Sequence, residues 1–380
     1  MLNYFSVELS PEERLIQETV RSFCDSEVLP IIRPAFEEGR FPKELIPRMA
    51  ELGLYGSTIP GYGAGLSYTM YGLICQELER ADSGLRSFVS VHSSLCMFPI
   101  HAFGSDEQKQ RYLPSMVDGT LIGCFGLTEP DHGSDPGNME TRAVPDGDGW
   151  VLNGTKMWIT NGSVAGVAVV WAQTPDGIRG FLVDTDRAGF STHDIKDKLS
   201  LRASVTSELH FDEVRLPSTA LLQGTRGLGS ALRCLNEARF GIAWGAVGAA
   251  MACYESALAY AQVRTQFDRP IAGFQLTQEK LVDMLAEITQ SQLLALQLGR
   301  LKDAGTVRPQ QISLAKRTSV AMALRTARSA RSILGANGIS LEHPVFRHMV
   351  NLESVYTYEG THEMHTLIVG QDITGLAAFT

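Results

Sequence analysis

The sequence predicts a mixed α+β protein, organised as a helical segment, a β-rich segment and a second helical segment. Three observations predict it. At 380 residues the chain exceeds what one hydrophobic core usually supports, so several layers or domains are expected. Up to about residue 120, acidic and basic side chains interleave with apolar ones and β-branched runs are few, the pattern of amphipathic helices. Over roughly the next 100 residues, short β-rich runs alternate with Asp-Gly and Asn-Gly turns, before longer helix signals return. The boundaries fall at 1–120, 121–222 and 223–380.

In the first segment Glu12–Phe36, Phe41–Leu54 and Ser67–Ala81 read as helices. Between them lies the glycine-rich loop Pro60-Gly-Tyr-Gly-Ala-Gly65. It lacks the strand-then-helix setting and the third glycine of a dinucleotide fingerprint, so it is a poor nucleotide motif. In the middle segment Trp150–Thr160, Val167–Trp171, Gly180–Val183 and Ser207–Phe211 read as strands of an antiparallel sheet, with no convincing helix. In the last segment Leu281, Met284, Leu285 and Ile288 share one helix face. Gly241–Ala252 is small enough for close helix approach, and Pro309 and Pro344 mark breaks between helices.

Composition excludes several function classes. The chain is 44% apolar and 20% charged, an ordinary globular balance, with no uninterrupted apolar run as long as a membrane span. The start, Met1 to Glu8, has neither a signal-peptide nor a transit-peptide pattern, so a bacterial cytoplasm is expected; a matrix enzyme stripped of its presequence would look similar. Six scattered cysteines without a C-x-x-C pair read as reduced, packed thiols. A net charge of −9 argues against nucleic acid and requires a local basic pocket for any anionic ligand.

Three constellations could carry chemistry. Cys124-Phe-Gly-Leu-Thr-Glu-Pro-Asp-His-Gly-Ser-Asp135, followed by Trp158-Ile-Thr160, offers clustered N–H and O–H donors beside an aromatic wall, which suits a pyrophosphate or a polar heterocycle. A turn and hairpin around a core tryptophan accounts for it equally well. In Tyr356-Thr-Tyr-Glu-Gly-Thr-His-Glu-Met-His365, Glu359 beside Gly360 is by chemistry alone far more readily a turn residue than a base. His362, Glu363 and His365 fall one residue short of the zincin spacing and lack a third ligand, so no metal is expected. In Glu79-Arg-Ala-Asp-Ser-Gly-Leu-Arg-Ser87, Asp82 or Ser83 caps a helix, and Arg86 can pair with Asp82 on an exposed face.

These motifs, and the order of the segments, resemble the acyl-CoA dehydrogenase family over the whole chain. The Thr-Glu-Pro-x-x-Gly-Ser-Asp and Trp-Ile-Thr runs match its flavin signature, and Tyr358-Glu-Gly-Thr361 matches its base motif. Arg264-Thr-Gln-Phe267 with Gln275, and Ser332-Ile-Leu-Gly-Ala336 with Asn337-Gly338, match further markers; Asp268 and Ala336 stand where the family often has glycine. The resemblance implies a helical N-terminal domain, a barrel-like antiparallel middle domain and a C-terminal four-helix bundle. It implies FAD held by Phe125, Leu127, Thr128, Gly133, Ser134, Trp158, Ile159 and Thr160, with Thr361 and Glu363 nearby. Arg264, Phe267, Gln275, Leu334 and Gly335 would serve the FAD of a neighbouring subunit, in a homotetramer. Glu359 would take the α-proton, and electrons would pass to an electron-transfer flavoprotein.

Asp82-Ser-Gly-Leu-Arg-Ser87 is similar to the branch of the family acting on glutaryl-CoA, as are Ser200–Ser204, Asn236–Trp244 and Leu298–Asp303, although Leu85 stands where an aromatic residue can precede the arginine. By that likeness Arg86 meets the distal carboxylate of the acyl chain. Ser87, Glu79, Ser134, Arg239, Tyr358 and Gly360 complete the substrate site. Oxidation to glutaconyl-CoA would be followed by loss of CO2 and reprotonation to crotonyl-CoA, steered by Glu79, Tyr358 and Arg86. The alternatives are a dehydrogenase that stops at glutaconyl-CoA, one for short uncharged acyl chains, and a non-catalytic CoA-binding protein on the same fold.

Overall fold

A computed structural model of the chain describes residue 4 and residues 8–378. Ser10 starts helix α1 (Pro11–Phe23) with a capping box: its hydroxyl accepts from the Glu13 N–H, and the Glu13 carboxylate accepts from the Ser10 N–H. A π-helical turn over Cys24–Val28 carries the rod into α2 (Leu29–Glu38), which Gly39 ends in the left-handed region at φ 69°. The expected Phe41–Leu54 helix shrinks to a 3₁₀ turn and α3 (Ile46–Glu51), because Pro42 and Pro47 withhold donors and Gly53 turns left-handed at φ 67°. Among the described residues no strand precedes Pro60–Gly65, so the loop lacks the setting of a dinucleotide fold.

Helix α4 (Tyr68–Ala81) breaks at Asp82, whose carboxylate accepts from the Gly84 N–H at 2.7 Å and caps α5 (Ser83–Ser90). A second π-helical turn leads from α5 into α6 (Phe98–Phe103), and α7 (Asp106–Val117) closes the segment.

The sheet that follows runs through β1 (Gly123–Gly126), β2 (Arg142–Asp146), β3 (Gly149–Thr160), β4 (Val167–Thr174), β5 (Gly177–Asp184), β6 (Phe190–Asp194) and β7 (Thr206–Leu216), in the order β1-β4-β2-β3-β7-β6 with β5 on β4. Most of it is antiparallel, as the turn chemistry predicts. The expectation of a purely antiparallel sheet is corrected at β4, which pairs with β1 in parallel from Gly123↔Val167 to Gly126↔Val170 and meets β2 at one parallel pair. Turn residues specify the local hairpins β2–β3 and β4–β5. A parallel pair joined through a long connection leaves no such local mark.

After the sheet come α8 (Gly227–Val263), a two-strand ribbon β8 (Thr265–Gln266) and β9 (Arg269–Pro270), α9 (Gln275–Asp303), α10 (Pro309–Leu334), α11 (Pro344–Thr357) and α12 (His362–Thr374). Helices α8 to α11 form the bundle, and α12 rests on α10. Pro309 and Pro344 each open a helix, and Leu281, Met284 and Ile288 are buried. Helix α8 is apolar and long enough to cross a membrane, which the sequence reading had not anticipated; 72% of its most apolar window is buried in protein, as in a core helix. All six cysteines are buried and unpaired.

The bundle meets the first segment where α8 lies on α4. Backbone approaches backbone there because α8 presents glycine: a Cβ on Gly248 would sit 1.9 Å from the Gln76 carbonyl oxygen, and one on Gly245 would sit 1.9 Å from Glu79 Oε2. The small-residue run read from the sequence is therefore the seam joining the two helical segments.

This contact predicts that Gly248→Ala lowers the unfolding free energy by about 1–3 kcal/mol or more, since backbone must move. Gly229→Ala, where an added Cβ meets nothing within 4 Å, should be neutral or stabilising by up to about 1 kcal/mol. Equal thermal stability of the two variants would refute the seam as a rigid contact.

Candidate functional site

The turn between α11 and α12 is held in a conformation its residues would not choose. Glu359 has φ 52°, which costs a non-glycine residue about 1–2 kcal/mol, and Gly360 follows at φ 95°. Gly360 is required twice over, because a Cβ there would also sit 2.9 Å from His365 Nε2 and 3.3 Å from Arg239 Nη2. Thr361 then caps α12, its hydroxyl accepting from the Met364 N–H. Two buried cations fasten the turn. Lys316 of α10 donates to the carbonyls of Tyr358 at 2.5 Å and Gly360 at 2.6 Å, and Arg239 of α8 donates from Nε to the carbonyl of Glu359 at 2.7 Å.

Around the Glu359 carboxyl the environment is dry and positive. Its Oε2 is enclosed without a hydrogen-bond partner. Burial raises its pKa, while Arg86, Lys316 and Arg239 pull it back; burial wins, so the acid form persists above the ordinary carboxylate range. Burial likewise pushes the Lys316 amine down to about 7 against the opposing charge of Glu359. His365, beneath Gly360, is kept neutral by burial and by Lys316 and Arg239.

Arg86 lies on α5, with its side chain fully buried. Its Nε donates to Glu79 Oε2 at 2.6 Å, its Nη2 donates to the Tyr358 hydroxyl, and its Nη1 is buried without a partner. Burial opposes its charge, but Glu79 and Tyr358 restore it. Glu79 Oε1 is also unpartnered, and burial raises the pKa of that carboxyl despite Arg86. The expected pairing of Arg86 with Asp82 on an exposed face is not formed. Asp82 is buried and accepts instead from Arg347 and from Asn351 at 3.0 Å. Ser87 is buried beside Arg86 in the same helix.

The second constellation is a loop with an open face. Trp158 has φ 63° and is 57% exposed, so it is no core tryptophan. Gly133 and Ser134 are exposed, whereas Thr128 and Thr160 are half-buried. Phe125, Leu127 and Ile159 face inward, and the first two share a hydrophobic core with Leu85 and Phe88 of α5. The loop is pinned by a buried pair that the sequence reading missed. Lys156 donates to the Leu127 carbonyl at 3.0 Å and to Glu129 at 2.8 Å, and Glu129 accepts from the N–H groups of Glu140 and Thr141. A lysine among the apolar residues of a strand was its signal.

A third group gathers at the far end of α8. Arg264 ends that helix; Phe267, at φ 51°, is 88% exposed and Gln275 opens α9. Leu334 and Gly335 end α10, and Asn337 donates to the Tyr260 hydroxyl while Lys280 donates to Ser332, tying the two loops together. Arg264 follows Arg239 by some 25 residues, about 37 Å along an α-helix. This group therefore lies well away from Glu359 in the same protomer. The histidine cluster also disperses: His362 stacks on Tyr356 at 4.5 Å, Glu363 is exposed and His365 is buried. Among the described residues no three His, Cys, Asp or Glu side chains are grouped to hold a metal ion.

Arg239, expected as a CoA or acyl contact, has its Nε committed to the main chain of Glu359. Lys316 was not singled out at all. Its signal was a cation on the buried stripe of α10, among Ile312, Ala315, Ser319 and Ala323.

A helical, β and helical body with a half-buried glutamate turn, whose Tyr358 meets a buried arginine, defines a known class. The chain belongs to the acyl-CoA dehydrogenase family: residues 10–120 match its N-terminal domain, 124–214 its middle domain and 225–374 its C-terminal domain. It is thus an oxidoreductase of the acyl-CoA dehydrogenase type. Among solved structures it is similar to a glutaryl-CoA dehydrogenase from Mycobacterium smegmatis (61% identity, 99% of this chain and 98% of that one, TM-score 0.98). A second glutaryl-CoA dehydrogenase from that organism, in complex with FADH2, is 55% identical, with 98% and 97% coverage and a TM-score of 0.97. The short-chain specific acyl-CoA dehydrogenase of Bos taurus mitochondria is 38% identical over 96% of this chain and 91% of that protein.

Breaking the buried Glu129–Lys156 pair by Lys156→Met should destabilise the fold by about 3–5 kcal/mol, because an uncompensated carboxylate stays inside. Urea unfolding measures it; a loss under about 1 kcal/mol would show that the loop does not depend on the pair.

Proposed function

We propose that the chain oxidises glutaryl-CoA and decarboxylates the product to crotonyl-CoA, with Glu359 as base, and passes electrons to an electron-transfer flavoprotein. The observation that carries the choice of substrate is the buried Arg86 with Nη1 unmet, beside a turn whose glutamate oxygen is also unmet. An uncharged acyl tail would leave that donor desolvated and unpaired, whereas a distal carboxylate supplies the missing acceptor. Likeness to the two glutaryl-CoA dehydrogenases supports the same choice over a short-chain substrate.

The cofactor is FAD, and the donor set fits it. The hydroxyls of Thr128, Ser134 and Thr160 form no side-chain hydrogen bond among the described residues, and the exposed Trp158 offers a ring face. Bound there, FAD supplies the two-electron acceptor. Thr361 at the α12 N-terminus and the exposed Glu363 complete the near side. Arg264, Phe267, Gln275, Leu334 and Gly335 sit too far along α8 to serve this protomer's site, which supports a contribution to a neighbouring subunit's FAD in a homotetramer.

The chain's own residues then account for the proton chemistry. Glu359, desolvated, takes the α-proton; a raised pKa makes it a stronger base and afterwards a competent acid. The Glu359 N–H forms no hydrogen bond within the described residues and is available to a thioester oxygen, where it would stabilise the developing enolate. Arg86 holds the distal carboxylate in register. Glu79 and Tyr358, which hold Arg86, govern how readily that carboxylate departs as CO2. Protonated Glu359 then returns its proton to the resulting dienolate.

Glu359→Gln should remain yellow and lose kcat by at least about 10²–10⁴-fold, and near-normal turnover would remove the base assignment. For the wild type, kcat should fall as pH drops through the raised pKa of Glu359, so the acid limb should lie above the ordinary carboxylate range; a limb at or below pH 4.5 would contradict the burial argument. Arg86→Met should cut kcat/KM for glutaryl-CoA by about 10²–10⁴-fold while sparing butyryl-CoA. Faster wild-type turnover of butyryl-CoA would remove Arg86 from its role, and accumulation of glutaconyl-CoA would replace the decarboxylating reading by the simpler oxidation.

A further inference from the structure

The strongest feature left unused by the proposed chemistry is Lys316. It is a lysine of α10 with 1% exposure, and no carboxylate pairs with it by a hydrogen bond. Burying an ammonium without an ion-pair partner is costly, so its acceptors are informative. They are the carbonyls on either side of the base, those of Tyr358 and Gly360. With Arg239 on the carbonyl of Glu359, three successive carbonyls of the turn are each held by a cationic side chain.

We propose that Lys316 is a positioning residue for the base: by bridging the carbonyls of Tyr358 and Gly360 it fixes the strained turn, and so aims both the carboxylate and the N–H of Glu359 at the acyl thioester. This inference rests on Glu359 acting as the base. The geometry follows from the peptide unit. No cis bond occurs among the described residues, so the Glu359 N–H points opposite to the Tyr358 carbonyl. Fixing that carbonyl on Lys316 turns the N–H away from α10, where it has no partner among the described residues. Without the bridge, Glu359 at φ 52° has every reason to relax into a commoner conformation, and the N–H and carboxylate would swing together.

The bridge does not depend on the charge of the amine. A neutral –NH2 retains two N–H donors, enough for both carbonyls, so the clamp persists whichever form Lys316 takes. Its Nζ also lies over the Tyr358 ring, 5.8 Å from the centroid. The Arg86 guanidinium lies 5.7 Å from the same centroid, so clamp and substrate anchor share one residue.

The test is a comparison of FAD-loaded Lys316→Met, Lys316→Gln, Glu359→Gln and the double variant Lys316→Met/Glu359→Gln with the wild type. Lys316→Met should keep FAD and change KM for glutaryl-CoA by less than about threefold, but lower kcat about 10²-fold, the scale of an ångström's misplacement. Lys316→Gln, which keeps a donor of shorter reach, should fall between, and it carries the test if the methionine variant does not fold. In the Glu359→Gln background the Lys316 substitution should add a smaller penalty, under about tenfold, because the carboxylate is gone and only the N–H is left to aim. A kcat within threefold of wild type for both single variants, or the same penalty with and without Glu359, would overturn the clamp alone. An active Glu359→Gln, or a wild type that turns over no acyl-CoA, would overturn the base reading and this proposal together.

Discussion

The site depends on a close approach of two helices. Because α8 carries glycine at 245 and 248, its backbone lies against α4, and Glu79 fits where any larger residue at 245 would collide. That space holds a fully desolvated Arg86–Glu79 pair. Such a pair does little for stability, since the desolvation of two ions roughly cancels their attraction. What it provides is a charged group of fixed direction inside an acidic protein, which on the reading proposed above is the local basic pocket for an anionic acyl chain. The same helix, less than two turns before Gly245, sends Arg239 to the carbonyl of Glu359. On that reading, helix α8 sets the distance between substrate anchor and base from one rigid rod.

Electrostatics at Glu359 is a contest between burial and charge that burial wins. Three cations surround the carboxyl, and in water they would make it a stronger acid. Enclosure reverses the sign, and a carboxyl raised above its ordinary range is both a better base and a usable acid. The unmet oxygen of Glu359 and the unmet nitrogen of Arg86 belong to this balance. Each is a buried polar atom that folding alone would eliminate; on the reading proposed above, the distal carboxylate of the acyl chain meets Arg86 and its α-carbon meets Glu359.

Much of this was legible in the sequence, for identifiable reasons. The helical, β and helical order follows from local periodicity and turn chemistry, and a close helix approach, though not its partner α4, from the alanine- and glycine-rich run 241–252. Arg86 and Glu359 stood in short motifs whose residues are neighbours in the chain. What escaped was non-local. Nothing beside β1 announces its parallel partner 44 residues on, and the prolines that shorten α3 override its amphipathic pattern. Arg86 was read against Asp82 at i−4, but the break at Asp82 turns α5 away from α4, and the pairing falls to Glu79 and Tyr358. Lys316 meets its carbonyls across more than 40 residues, and only its place on a buried helical stripe distinguished it.

The separation along α8 ties catalysis to assembly. Phe267 stands 88% exposed in a left-handed conformation, with exposed Val263, Leu276 and Ile339 on the connected loops. A monomer gains nothing from an exposed aromatic held under strain, so this end of the bundle has the character of a surface awaiting a second copy. On the reading that it serves a neighbour's FAD, each protomer holds the base at one end of α8 and part of another site at the other. Loss of association would then strip the cofactor's distal contacts before it disturbed Glu359, whose turn is fastened wholly within its own chain by Lys316 and Arg239. Base geometry and cofactor retention are thereby placed under separate physical controls, one by packing within a protomer and the other by contact between them.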